Sequence, residues 1–463
     1  MNNPAEDVAI GTFPRIIQSE TSLARFKDFI LYGFNDLEDV SSSGFAFSSD
    51  LGRSWSDCDS IPLNPNGANN GDPTLAVDRN GIFYYGQLGF EVVGGVRQSV
   101  ISVSAGKVNP NRTITMNQPQ VIGVAPSPVT PNLFTQDKPW IAVGPDKNNP
   151  GSEALYAAWV DFSNPGGGTK IRFSKHRTGL NLVPLIQSKT IISGTNEVFG
   201  PFVVVDKKGN IYVFYESRLP GSFTTVTGPT RQIRMAKSTD GGNTFPIDIQ
   251  VSAGLFEAAA NAVATCEGGN NRPVIRVTAQ QTIRMFEIPQ AAIGDDGTIY
   301  VVWNAGRTVG GVKRIDIFLA FSRNGGQTWQ QVNLTENETS FAFFPSVAVN
   351  KNGAHVQYNR FNDPNRVGGV GDGTFAVFMK TFSRLKDISK ERMISTEFSP
   401  VAVFLCYMGE YNQVINGPRE SLLHAWSDNR NVLNGQNNPD VFFKQTDTML
   451  KPGKGPHPLH HKK

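Results

Sequence analysis

The chain is predicted to be all-β, a β-propeller built from four-stranded antiparallel blades. Three observations lead there: one strand–turn–strand unit recurs along the 463 residues, the segments around it alternate at period two, and helix caps are scarce. The clearest copies are residues 73–84, 201–212, 289–300 and 345–353. Each opens on a proline, tolerated at a strand's first position because its missing N–H falls outside the ladder. An Asp- or Asn-led turn closing on glycine follows, between β-branched and aromatic residues, so each copy reads as a hairpin.

Residues 139–143 repeat the unit with a longer turn, a first copy is expected at Pro14 and a last at Tyr411. Two further strands follow each hairpin; in the fifth copy they are expected at 315–322 and 328–334. Four strands in seven copies predict seven blades, with six blades and an appended sheet as the alternative. The seventh copy runs out after its third strand, 440–446, and residues 8–12 are expected to supply the fourth and close the ring. One domain over 1–447 follows. Residues 448–463 form a basic Pro/Gly/His tail, expected to be disordered.

Charge excludes some partners. Lys+Arg 43 against Asp+Glu 40 leaves +3, without the basic footprint of a nucleic-acid binder. No apolar run reaches the ~18 residues of a membrane helix. The first seven residues carry neither a basic stretch nor an apolar core, so export to the extracellular or surface location expected here needs a removed leader or another route. Cys58, Cys266 and Cys406 allow one bridge with one free thiol, or three free thiols.

The turn joining third and fourth strands carries a motif, S-x-D-x-G-x-x-[W/F]. It occurs as Ser48, Asp50, Gly52, Trp55; as Ser238, Asp240, Gly242, Phe245; and, with Asn for Asp, as Ser322, Asn324, Gly326, Trp329. This resembles the Asp box of the sialidase-like (BNR-repeat) propeller superfamily, and the resemblance covers the chain through residue 447. It implies that the boxes lie on the face opposite the ligand and serve structure. Side chains of Ser and Asp bond turn N–H groups, and glycine takes the positive φ.

The ligand is therefore sought where strand two ends. Arg218, Arg307, Arg360 and Arg430 recur there, with Asn304, and such guanidinium groups can clamp a carboxylate or pair with neighbouring acids. Asp72, Asp137, Glu287 and Glu410 stand just before strand one, a carboxylate ring able to hold Ca2+, the hydroxyls or amines of a glycan, or the rim arginines. The insertion 246–288 is expected on the same face, with a short helix over 256–263.

In the resembled enzymes, arginines grip an acidic sugar, one from an [F/Y]-R-I-P motif, and a Tyr–Glu pair with an Asp does the chemistry. Here Phe286-Glu287-Ile288-Pro289 puts an acid where that arginine would be. Tyr411 follows Glu410, and adjacent strand residues point to opposite sides. A carbohydrate- or surface-binding propeller without catalysis is the leading expectation. A glycoside hydrolase drawing on Asp36, Asp161, Glu216, Asp428 or Tyr411 is the alternative, and a structural surface-layer protein the third.

Overall fold

The computed structural model describes residues 18–36, 41–65, 67–93, 95–124, 135–163, 168–362, 370–403 and 405–448. These form eight antiparallel sheets, and no α-helix occurs among them. Sheet A is the meander Ser19–Phe26, Phe29–Asn35, Ser43–Ser48, Ser56–Ser60. Sheets C (Gln136–Pro145 to Val183–Ile192), D (Glu197–Val205 to Ile247–Gln250) and E (Gln290–Ile293 to Gln330–Asn333) repeat that order. Sheet B runs from Gly67–Asn69 to Gln120–Val124, its fourth position shared by two short strands. Sheet F runs from Ala342–Asn350 to Ser399–Pro400, and sheet G comprises Gln413–Asn416, Ser421–Leu433 and Gln436–Asp447. The fourth strand expected for the last copy, 8–12, lies outside the described residues.

The first copy begins later than expected. Pro14 lies outside the described residues, and Ser22 occupies the station of Thr74. Two hydrogen bonds fix that equivalence: Leu75 N donates to Ser22 Oγ at 3.0 Å, and Ile141 N to Thr74 Oγ1 at 3.1 Å. The same bond runs from Val414 N to Ser346 Oγ (3.0 Å), and Leu23 N donates to Gln413 Oε1 (2.5 Å), joining sheet A to sheet G. Each satisfies an inner-strand amide that would otherwise be buried without a partner. One strand from each of sheets A to G, which in sheet B is the short strand Thr74–Val77, lines a shared cavity of about 350 Å3.

The serine–aspartate turns tie sheets together at the opposite end. Ser48 Oγ bonds Asp50 (2.8 Å) and accepts from Gly52 N (2.8 Å), while Asp50 Oδ1 accepts from Arg53 N and Ser54 N. Hydrogen bonds from the Ser54 hydroxyl and amide hold the Asp50 carboxyl down to about 2. Ser238–Asp240–Gly242 and Ser322–Asn324–Gly326 repeat the geometry. The aromatic that follows packs on the preceding sheet: Phe245 on Phe173, Trp329 on Phe214, and Trp55 on Phe443 of sheet G. Gly52 (φ +80°) lies under that last contact, where a Cβ would collide with the Phe443 ring.

One backbone device shapes the other end. Glu20, Asp72, Lys138 and Phe344 all have φ between 49° and 55°, as does Gly200 at 55°. Each stands two residues before an inner-strand station (Ser22, Thr74, Trp140, Ser346, Phe202), and at four of the five the ladder slips by a bulge. A bulge re-aims side chains and stores strain, of order 1–3 kcal/mol for a left-handed non-glycine residue.

The insertion is a sheet of its own, Ala262–Thr265, Asn271–Arg276 and Thr282–Arg284, set between sheets D and E in sequence. The helix expected over 256–263 does not form. Phe256 pairs with Arg231 of sheet D and Glu257 with Gly306 of sheet E, so the segment is a strap across both. A disulfide joins Cys266 to Cys406, leaving Cys58 as a free thiol. Beside it, Leu405 (φ 48°) and Cys406 (φ 69°) are both left-handed.

Candidate functional site

A cavity of about 660 Å3 opens where the second strands end and the first strands begin. The bulges bring its floor together. Lys138, 7% exposed, sits at 3.0 Å from Glu20 Oε1, 2.8 Å from Asp72 Oδ2 and 2.6 Å from Glu410 Oε2. Three carboxylates around one ammonium cannot all ionise cheaply. Burial, then the charge of Asp72, pushes the Glu20 carboxyl up to about 7 against the pull of Lys138. Burial likewise raises Asp72 and Asp137, and the surrounding acids hold the Lys138 ammonium well above its ordinary range despite burial.

Asn35 braces this floor, donating to Tyr407 Oη (2.7 Å) and Glu20 Oε2 (3.2 Å) while accepting from Asp72 N (2.8 Å). The insert sheet delivers two more cations. Arg284 forms ion pairs with Glu410 Oε1, at 2.6 Å, and with Glu267, and lies 4.5 Å over the Tyr407 ring. Arg272 lies 5.2 Å over the Phe223 ring and has no hydrogen-bonded or ionic partner among the described residues. Burial lowers its pKa against the pull of Glu410 and Asp137, which leaves the group charged at neutral pH. Phe162, Phe199, Phe223 and Phe286 supply the apolar wall.

Of the four rim arginines, Arg218 alone lines this cavity, and it is held by Glu216 in two bonds of 2.6 and 2.7 Å. Arg307 pairs with Asp316, Arg360 with Glu391, and Arg430 with Asp428. The reason is local: Glu216 and Asp428 stand two residues before their arginines, on the same side of the strand, nearer than any open space. Asn304 is buried and donates to Phe286 O (3.1 Å).

The four carboxylates weighed as catalysts stay in separate sheets. Asp161 accepts from Gln136 Nε2 (2.8 Å) and Ser163 N (2.8 Å); Asp428 from Trp426 Nε1 (2.9 Å) and Arg430. Asp36 packs beside Gly44 in sheet A. Glu216 is buried between Arg218 and Arg231. Tyr411 is buried with its hydroxyl donating to Pro73 O (2.9 Å), its ring against Trp140.

Among the acids expected to form a ring, Asp72, Asp137 and Glu410 do line the cavity, and Lys138 stands at the point where a cation would be held. Among the described residues no group of three or more His, Cys, Asp or Glu has metal-site geometry. Glu287 is elsewhere, a correction to its place in the ring. It takes Arg231 Nε at 3.1 Å and Ala259 N at 2.6 Å, and burial beside Glu216 pushes it up to about 8.

Lys138, Glu20, Arg272, Arg284 and Tyr407 carry no signal of their own in the sequence. Glu20 is the sheet A equivalent of Asp72, hidden because the first copy starts at Ser22 rather than near Pro14. Lys138 follows Asp137, and strand alternation would turn it away from the cavity.

No protein-family model matches the chain, and no curated protein matches it. Among solved structures it superposes on an ulvan lyase, described as a new family of polysaccharide lyase, at TM-score 0.51 and 11% identity, covering 92% of this chain and 94% of that one. A Hadza microbial sialidase gives 0.43 at 15% identity, over 93% and 79%. A Trypanosoma rangeli sialidase in complex with sialic acid gives 0.42 at 13%, over 92% of this chain and 54% of that one. The likeness to the lyase is one of fold. No helix among the described residues is long and apolar enough to cross a membrane.

Proposed function

We propose that the main cavity binds an acidic sugar residue of a glycan, gripping its carboxylate with Arg272. Four cations line or border the space, and three are already answered: Lys138 by three acids, Arg218 by Glu216, Arg284 by Glu410 and Glu267. Arg272 is the unanswered one, and that observation carries the reading. A partly desolvated guanidinium beside an aromatic ring favours a planar anion that takes two parallel N–H bonds. The phenylalanines suit the C–H face of a pyranose, and the Asp137 carboxyl, which lines the same cavity, can bond a sugar hydroxyl.

The platform for this reading is a single wheel of seven blades, sheets A to G, with sheet A docked on sheet G. Support comes from the Leu23–Gln413 bond, the Trp55–Phe443 contact and the cavity lined by one strand from each sheet. A location outside the cell or at its surface fits the Cys266–Cys406 bridge, since disulfides persist in oxidising compartments. The superposition on a lyase bound to a GlcA(1-4)Rha3S unit agrees with an acidic ligand.

Titration calorimetry tests it, with N-acetylneuraminate, glucuronate and galacturonate set against their methyl esters. The acids should bind, the esters should bind at least about tenfold more weakly, and Arg272→Gln should remove the difference. Equal affinity for acid and ester would overturn the reading. A hydrolytic version is favoured by Asp137, a cavity carboxyl with a raised pKa. It requires release of methylumbelliferone from a sialoside or glucuronide, lost in Asp137→Asn with binding retained.

A further inference from the structure

We propose a second sugar subsite, taking another anionic residue of the same glycan chain, in the groove between sheets D and E. This rests on the acidic-glycan reading of the main cavity but is carried by separate residues. The groove has a volume of about 430 Å3 and is bounded by the strap 252–257, the end of strand Ile299–Val309, and Pro229. The strap is fixed at both sides, Phe256 to Arg231 and Glu257 to Gly306, so the groove is a preformed feature of the two sheets.

Its wall is aromatic. Phe256 and Phe318 both stack with Trp303, with centroids 6.2 and 5.9 Å away and planes within 29° and 18°. Both phenylalanines are half-buried and border the groove. The Trp303 indole N–H beneath is buried with no acceptor among the described residues, a deficit a ligand hydroxyl at the groove floor would remove. Arg307 supplies the charge. Its Nε is held by Asp316, while its two terminal nitrogens have no partner among the described residues. Gln331 accepts from Ala253 N through Oε1, which leaves its amide N–H2 to donate. Rings, a guanidinium fork and an amide donor together match a pyranose bearing a carboxylate or sulfate.

The groove is also placed to serve the same chain. Phe223 lines the main cavity, and buried Arg231 binds Phe223 O (2.9 Å) and Thr225 O (2.8 Å) while its backbone pairs with Phe256. The loop 219–230 is thus the partition between the two spaces, and an oligosaccharide crossing it reaches both.

Three probes test this: oligosialate, hyaluronan and galacturonate oligomers, each against its monomer, by calorimetry and by hydrogen–deuterium exchange. Oligomers should protect residues 252–257 and 305–308 from exchange. Arg307→Gln should lower oligomer affinity about tenfold and leave monomer affinity unchanged. Gln331→Ala, a milder change, should lower it in the same direction, and an unchanged melting temperature in either variant shows that folding is intact. Monomer binding at Arg272 with no oligomer effect of either variant overturns the second subsite alone. Groove protection by oligomers in a protein that fails the Arg272 test would sink the main-cavity reading and keep the groove. A groove silent toward all three probes overturns this proposal.

Discussion

Replacing Glu20 by glutamine should flatten the pH dependence of stability. Glu20 is fully buried, and its carboxyl is raised from 4.5 to about 7. A raised carboxyl binds its proton more tightly in the folded chain. Its contribution is therefore complete below pH 4.5 and fades as pH climbs through 7. One proton held in the folded chain and absent from the unfolded one is worth about 1.36 kcal/mol for each pH unit crossed. This one group therefore costs the wild type roughly 2 kcal/mol between pH 5.5 and 8.5. Glutamine mimics the protonated form: its carbonyl can accept from Lys138 and its amide can donate to Asp72, so the variant carries no such loss. For a chain of this length, 2 kcal/mol corresponds to about 2 °C in melting temperature. Calorimetric melts of both proteins at the two pH values supply the test, read as the difference of differences. That subtraction cancels the buried His176, His355 and His424, which burial lowers to about 4, 4 and 3 and whose contributions grow with pH. Parallel curves for wild type and variant would refute the account of the floor.

Further outcomes are expected. Asp50→Ala removes the acceptor of the first serine–aspartate turn and should cost about 1 kcal/mol in urea unfolding, with glycan affinity untouched. Cys266→Ser with Cys406→Ser opens a link across 140 residues and should lower stability by up to about 5 kcal/mol, with faster proteolysis near residue 405. Gly52→Val forces a side chain onto Phe443 at a positive φ; it should destabilise by more than about 2 kcal/mol, seen as a lower melting temperature.

The repeat was legible because a hairpin's turn residues and period-two pattern are local, and seven copies multiply a weak signal. The site was legible only in outline. Asp72, Asp137 and Glu410 could be named from their places before the inner strands. Lys138 could not, because a bulge breaks the alternation that sequence reasoning assumes. Ala258, Ala259 and Ala260 read as helix formers, yet all three are fully buried behind a strap paired on both sides, and pairing outweighs propensity there. The rim arginines were visible as a set, while the acids that hold them were visible only after folding.

The insert sheet holds Arg272 and Arg284 yet belongs to none of the repeated sheets, and a single covalent tie anchors it to the far segment at Cys406. The carboxylate grip proposed for Arg272 is therefore separable from the repeated sheets. A lineage, or an engineer, can trade residues 262–284 for another graft with different charges and retune which ligand is admitted. The ladder bonds within sheets A to G would be left as they are, while Glu410 would lose its pairing with Arg284 and Val401 O its bond from Gln281.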